Sequence, residues 1–144
     1  MNAVAKKMMA AGNRATSWLY LRTNGRIGGT ARGNPVLLLT VPGRKTGKLR
    51  SVSVTFFEHD NGYLVAATAG GSKANPQWLH NLEAAGQAQI HIREDRYEVD
   101  ARIADRAERD ELWQKVVVKR APSFAKYEEK SGRSIPIALL TPRV

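Results

Sequence analysis

A chain of 144 residues with 42% hydrophobic and 25% charged side chains is one soluble globular domain with room for a real core. It has no cysteine, which excludes disulfides, thiolate metal sites and thiol catalysis. Its formal net charge of +10 serves solubility or an anionic partner: nucleic acid, an anionic membrane surface or a polyanionic small molecule.

From the N-terminus, Asn2–Tyr20 has the period of a helix. Val4, Met8, Ala11, Ala15 and Trp18 recur at spacings of four and three and form one apolar stripe. A basic amphipathic helix with a tryptophan packs on its own domain or on a second subunit, or lies on anionic lipid. Peripheral membrane contact through residues 2–20 is therefore one expectation. No apolar run approaches the ~18–20 residues that span a bilayer. Lys6-Lys7 interrupts the only stretch with the look of a signal-peptide core. The expected location is the cytoplasm, with a peripheral association at the inner face of the membrane if that helix docks there. Gly25–Pro35 is broken by four glycines and reads as a linker. An N-terminal extension over residues 1–25 and one folded domain over 26–144 is the expected organisation.

The next stretch reads as strand, basic turn, strand. The apolar run Val36–Val41 stops at Pro42-Gly43, where proline removes a ladder donor. After the turn, Val52, Val54 and Phe56 alternate with Ser51, Ser53 and Thr55. A wall of small hydroxyls opposite a core face leaves room for something to lie against the sheet. The turn holds Arg44, Lys45, Lys48 and Arg50, with Thr46-Gly47 at its tip. Glycine lets backbone N–H groups converge, and such a nest beside cations suits phosphate or carboxylate. It is not a Walker A loop, since only three residues separate Gly43 and Gly47, and Leu49 follows Lys48.

Asp60-Asn61-Gly62 signals a hairpin turn into a third strand, Tyr63–Thr68, which ends in Ala66-Ala67-Thr68-Ala69-Gly70-Gly71. Small residues there let a planar ligand approach the backbone. Asn75-Pro76 predicts a helix start with Asn75 as cap, and the helix runs to Gly86. Strands follow at Ala88–Arg93 and Tyr97–Ile103. Asp105 and Glu108 form a capping-box pattern before a helix bearing Leu112, Trp113, Val116 and Val117. A short segment with Phe124 and Tyr127 ends at Gly132, and Ile135–Thr141 is the last strand.

Six short strands, mostly hairpin-connected, predict a small antiparallel barrel of the α+β class with flanking helices. No dinucleotide fingerprint follows a strand. His59, His80 and His91 lack metal-site spacing and read as surface residues. No catalytic triad is legible, so in an enzyme a bound cofactor would carry the chemistry. With 7% aromatic residues and no stacking platform, nucleic acid is disfavoured as a partner.

Several motifs in order carry a family resemblance. They are Leu37-Leu38-Leu39-Thr40, Gly43-Arg44-Lys45-Thr46-Gly47 with Arg50, and Val65-Ala66-Ala67-Thr68 with Gly70-Gly71. Asn75-Pro76-x-Trp78-x-x-Asn81-Leu82, Pro122-Ser123-Phe124 with Tyr127, and Arg133-Ser134-Ile135-Pro136-Ile137 follow. Together, over Val36–Pro142, they resemble the deazaflavin-dependent nitroreductase family of actinobacteria. The resemblance implies a split β-barrel related to flavin-mononucleotide-binding oxidases, and coenzyme F420 as a reduced hydride donor. Quinones, some nitro compounds and activated alkenes are the implied substrates.

It also implies roles. Arg44, Lys45, Thr46, Gly47 and Arg50 would hold the anionic phospholactyl-glutamate tail. Ser51, Ser53, Thr55, Ala66, Ala67 and Thr68 would accept the flat ring, bordered by Trp78 and Asn81. Where the family often has lysine after the hydroxyl residue, this chain has Ala69, and Lys73 is the expected substitute. Phe124 and Tyr127 would face substrate, with Tyr127 or Thr68 as proton donor, and no metal is expected. An FMN-binding oxidase of the same barrel type and a basic nucleic-acid-binding barrel remain as alternatives, and the oligomeric state stays open.

Overall fold

The computed structural model describes residues 15, 17–31, 33–68 and 73–143. β2 (Asn34–Pro42) and β3 (Leu49–His59) form the expected hairpin, with Leu39 opposite Val52 and Thr40 opposite Ser51. β4 (Gly62–Ala66) folds back on β3. Asp60 and Asn61 both take positive φ in the turn between them, the backbone that matches strand twist in a two-residue hairpin loop. β5 (Gln87–Ile92) and β6 (Asp95–Ile103) make a second hairpin. β7 (Ile137–Pro142) inserts between β4 and β6. Because β2 also pairs with β5, six antiparallel strands close into a barrel. The stretch read as a linker instead contains a two-residue strand, β1 (Thr30–Ala31), paired on β2.

Strand alternation sorts the side chains. Leu37, Leu39 and Val41 fill the barrel with Val52, Val54, Phe56, Val65, Ala88 and Ile90, and Leu79 and Leu82 of α2 (Gln77–Ala85) close it. The outer face is covered over β2, β4 and β7, while β6 leaves Arg96, Glu98, Asp100 and Arg102 exposed. Val36 and Leu38 lie under Tyr20. Leu64, Ala66, Ile137 and Leu139 lie under a helical layer. That is why residues 36–41 read as a continuous apolar run rather than an alternating one.

The helical layer begins at α3 (Arg106–Leu112). Asp105 caps it by accepting the Glu108 N–H at 2.9 Å. The expected capping box is half made, because the Glu108 carboxylate pairs with Arg102 at 2.6 and 2.8 Å. The helix continues through a π-helical turn, Trp113–Val117, into α4 (Val118–Arg120), and α5 (Phe124–Ser131) follows. Buried Arg109 ties this layer together. It donates to the Ile135 carbonyl at 2.8 Å, pairs with Asp110 and Glu128, and lies over the Trp113 ring.

The N-terminal helix departs from expectation. Its described turns, residues 17–23 (α1), bury Tyr20 completely and leave Trp18 61% exposed. The inward face is therefore Ser17 and Tyr20, not the stripe through Ala15 and Trp18. A polar anchor decides this. The Tyr20 hydroxyl lies 3.1 Å from the Val36 carbonyl and 3.0 Å from that of His91, sharing its one proton, and receives the Arg93 N–H at 2.8 Å. Residues 2–14 and 16 of the expected helix lie outside the described residues.

Candidate functional site

One face of β3 differs from the rest of the barrel exterior. Val52, Val54 and Phe56 point inward, so Ser51, Ser53, Thr55 and Phe57 point out. They form a strip between two covers. On one side α1 approaches, with the Ser17 hydroxyl 3.4 Å from the Ser51 carbonyl. On the other, Phe57 meets Phe124 of α5 edge to face, centroids 5.8 Å apart. Ser51 and Thr40 share a hydroxyl–hydroxyl hydrogen bond at 2.7 Å. The Ser53 hydroxyl is buried and has no hydrogen-bond partner among the described residues. A buried hydroxyl left unpaired costs about 1–3 kcal/mol.

The basic turn stands at one end of the strip, where β2 hands over to β3. Gly47 takes φ 74°, and its N–H donates to the Gly43 carbonyl at 2.8 Å while the Gly43 N–H donates to Lys48 at 2.9 Å. The Lys48 N–H goes to the Thr46 hydroxyl and the Arg44 N–H to Asn81. These four amides are satisfied within the protein. The Thr46 hydroxyl still has its own proton to donate. Arg44 is committed to α2: its guanidinium donates to Asn81 at 2.8 Å and to Gln77 at 2.9 Å. Lys45, Lys48 and Arg50 are exposed and in no ion pair among the described residues. The acidic partners lie elsewhere, on β6, α3 and α5.

The β3–β4 ladder, from His59 opposite Gly62 to Phe56 opposite Val65, delivers Ala66, Ala67 and Thr68 alongside the strip. Ala67 leaves the ladder to donate to the Pro136 carbonyl at 2.9 Å. Arg133, just beyond α5, then takes over. It donates to the carbonyls of Ala67 at 3.0 Å and Thr68 at 3.3 Å, and to the Asn75 side chain at 2.7 Å. Burial holds its pKa below the ordinary arginine value. Asn75 is therefore turned away from the helix it was expected to cap, and Pro76 stands at the cap position without a side-chain bond. Lys73 is exposed, and the readings made on Ala69, Gly70 and Gly71 lie outside the described residues.

Trp78 packs against the barrel core, half-buried, and Asn81 is buried beneath the turn. Phe124 is only 6% exposed. It is a core ring between Phe57 and Tyr127, at 5.3 Å from the latter. Tyr127 is half-buried beside it. The fold thus brings the hydroxyl strip, the β4 end and α5 to one side of the barrel, with the cationic turn at the strip's far end.

Sequence reasoning gave no role to two organising residues, Arg133, quoted only within a motif, and Tyr20. A lone arginine directly after a helix-ending glycine was the available signal for the first. His91, expected at the surface, has a buried Nδ1 with no partner among the described residues, while its Nε2 accepts from Arg96 at 3.0 Å. Burial, then the Arg96 charge, lowers its pKa. Among the described residues no group of three or more His, Cys, Asp or Glu is placed to hold a metal. The residues present fit a flat ligand with an anionic tail. They offer unneutralised cations at one end and a buried hydroxyl without a partner among the described residues in the middle, while Ala66 and Ala67 beside it are themselves buried.

Comparison with known proteins bears on the same region. The model of the F420H(2)-dependent quinone reductase family matches residues 12–142. An F420H(2)-dependent quinone reductase of Mycobacterium tuberculosis is 36% identical over 128 residues, 87% of this chain and 86% of the relative. Among solved structures, an F420-H2 dependent reductase (FDR-A) superposes with a TM-score of 0.65 at 29% identity, covering 74% of this chain and 93% of that one. A haem storage protein of Vibrio cholerae, 18% identical, shares the fold alone, with a TM-score of 0.54 over 76% of this chain and 82% of that one. The barrel is accordingly a split barrel, and the chain belongs to the F420H(2)-dependent quinone reductase family of oxidoreductases.

Proposed function

We propose that Lys45, Thr46 and Arg50 hold the anionic tail of F420, and that the ring lies on Ser51, Ser53 and Thr55 beside Ala66–Thr68. The observation that carries this is the row of unneutralised cations at the end of a strip of small, half-buried hydroxyls. Arg44 and Asn81 set the turn, Trp78 borders it, and Lys73 adds a further cation near the strand end. When bound, reduced F420 supplies a hydride to the substrate.

The protein's part is to orient, to exclude water and to move a proton. Tyr127 and Thr68 are the proposed proton-bearing groups on the substrate side. With Ala121 and Phe124 both buried, Tyr127 is the phenol that α5 presents there. A mostly apolar wall with one such donor favours flat quinones over nitro compounds that want several hydrogen bonds.

Titration of the tryptophan fluorescence with F420 and with FMN tests the coenzyme. Tight F420 binding without FMN binding is expected, and FMN binding alone would shift the reading to an oxidase. Turnover with menadione and with a nitroimidazole, under the same reduced F420, tests the substrate. A clear preference for the nitro compound would overturn quinone specificity.

Contact of residues 2–20 with anionic lipid belongs to the same reading, since long-chain quinones reside in bilayers. Its support at the described end is an exposed Trp18 and Leu21 next to exposed Arg22, continued by Ile27 and Arg26. No described helix is long and apolar enough to cross a membrane. Flotation with anionic vesicles of the full chain, but not of a chain starting at Gly25, is the expected result; equal behaviour of the two removes the idea.

A further inference from the structure

We propose that Arg133 is a positioning residue for the reduction, drawing together the two ends of the segment Ala67–Asn75 so that Thr68 is held beside the ring. The inference rests on the coenzyme reading above. Three observations carry it.

The first is where the guanidinium reaches. Its partners fall on both sides of the segment: the carbonyls of Ala67 and Thr68 before it, and the Asn75 side chain after it. A planar fork of five N–H groups can serve divergent acceptors of this kind, which a lysine ammonium does less well.

The second is what those partners forgo. β4 ends at Ala66, so the next two carbonyls have left the sheet ladder and depend on another donor. Asn75, placed before Pro76 where a helix cap is favoured, makes no cap bond to α2 and turns to Arg133 instead. A local helix-start signal is overridden by one long-range contact.

The third is where Arg133 comes from. It follows Gly132, which ends α5 in a left-handed turn at φ 66°. α5 carries Tyr127, so a single arginine links the helix on the substrate side to the strand end on the coenzyme side. Any tilt of α5 is passed to Thr68 through that guanidinium.

Hydrogen exchange on the whole chain reads the first step. In Arg133→Ala the amides of residues 66–68 and 73–79 should exchange faster, with those of β5 and β6 unchanged. F420 titration by tryptophan fluorescence reads the second. Arg133→Ala and Asn75→Ala should each weaken binding about tenfold, and the double variant should lose no more than either alone. Asn75→Asp keeps an acceptor for the guanidinium and should stay within about twofold of the parent. Unchanged exchange at those amides overturns the proposal, as does faster exchange with unaltered affinity, or losses that add in the double variant. If Arg133→Ala does not fold, the Asn75 pair and Arg133→Lys carry the same comparison. If the parent chain itself fails to bind F420, the functional reading falls, whereas faster exchange in the variant would still show that Arg133 secures the segment.

Discussion

The side-chain oxygen of Asn81 accepts two hydrogen bonds from Arg44, the backbone N–H at 3.1 Å and Nη1 at 2.8 Å. One buried oxygen thus fixes both the path and the side chain of the first cation in the basic turn. Asn81→Ala leaves a main-chain donor without its acceptor at a buried site, a cost of about 1–3 kcal/mol. Thermal melting should show a fall of several degrees, with weakened F420 binding alongside. Asn81→Asp keeps the acceptor and should retain most of both. A melting temperature unchanged by Asn81→Ala would mean that the contact is incidental.

Lys45 and Arg50 behave differently because neither side chain has a hydrogen-bond or ion-pair partner among the described residues. Lys45→Ala and Arg50→Ala should leave the melting temperature nearly unaltered and each weaken F420 binding by about tenfold or less, given their exposure. The effect should shrink at high salt and with a coenzyme shortened in its glutamate tail. Unchanged affinity in both variants removes the turn from tail binding.

Phe124 and Tyr127 are neighbours with separable roles. Phe124→Ala empties a core site between Phe57 and α5, at a cost of about 3–5 kcal/mol, read as a large drop in melting temperature. Tyr127→Phe keeps the ring packing and should alter stability by no more than about 1 kcal/mol while slowing menadione reduction. The reverse pattern, melting shifted by Tyr127→Phe and turnover intact, would return Tyr127 to a packing role.

His91 gives the fold a pH dependence of known sign. Burial lowers its pKa from the ordinary value of 6.5, so below about that pH the unfolded chain binds a proton that the folded chain resists. Stability contributed by neutral His91 is present above pH 6.5 and declines as pH falls through it. Melting temperatures measured from neutral to mildly acidic pH should fall more steeply for the parent than for His91→Gln. Parallel slopes would show that another group dominates.

Much of the barrel was legible because its signals are local. Alternation in residues 51–56 placed the hydroxyl strip correctly, and the Asp60-Asn61 turn and the glycines at 86 and 132 ended their elements as expected. Two features escaped because a distant partner decides them. Asn75 reads as a helix cap until Arg133, 58 residues later, claims it. Tyr20 lies off the apolar stripe, yet its hydroxyl bonds to strands 16 and 71 residues away. Periodicity reports which face is apolar; it does not report which polar group has a partner across the fold.

β7 also has a consequence for association. It is hydrogen-bonded on both sides, to β4 and to β6, so displacing it exposes two strand edges at once. An unpaired strand edge is a template for pairing with another chain. Chains weakened at Ile137–Pro142 should therefore self-associate before they unfold fully, with light scattering rising ahead of the loss of far-ultraviolet dichroism.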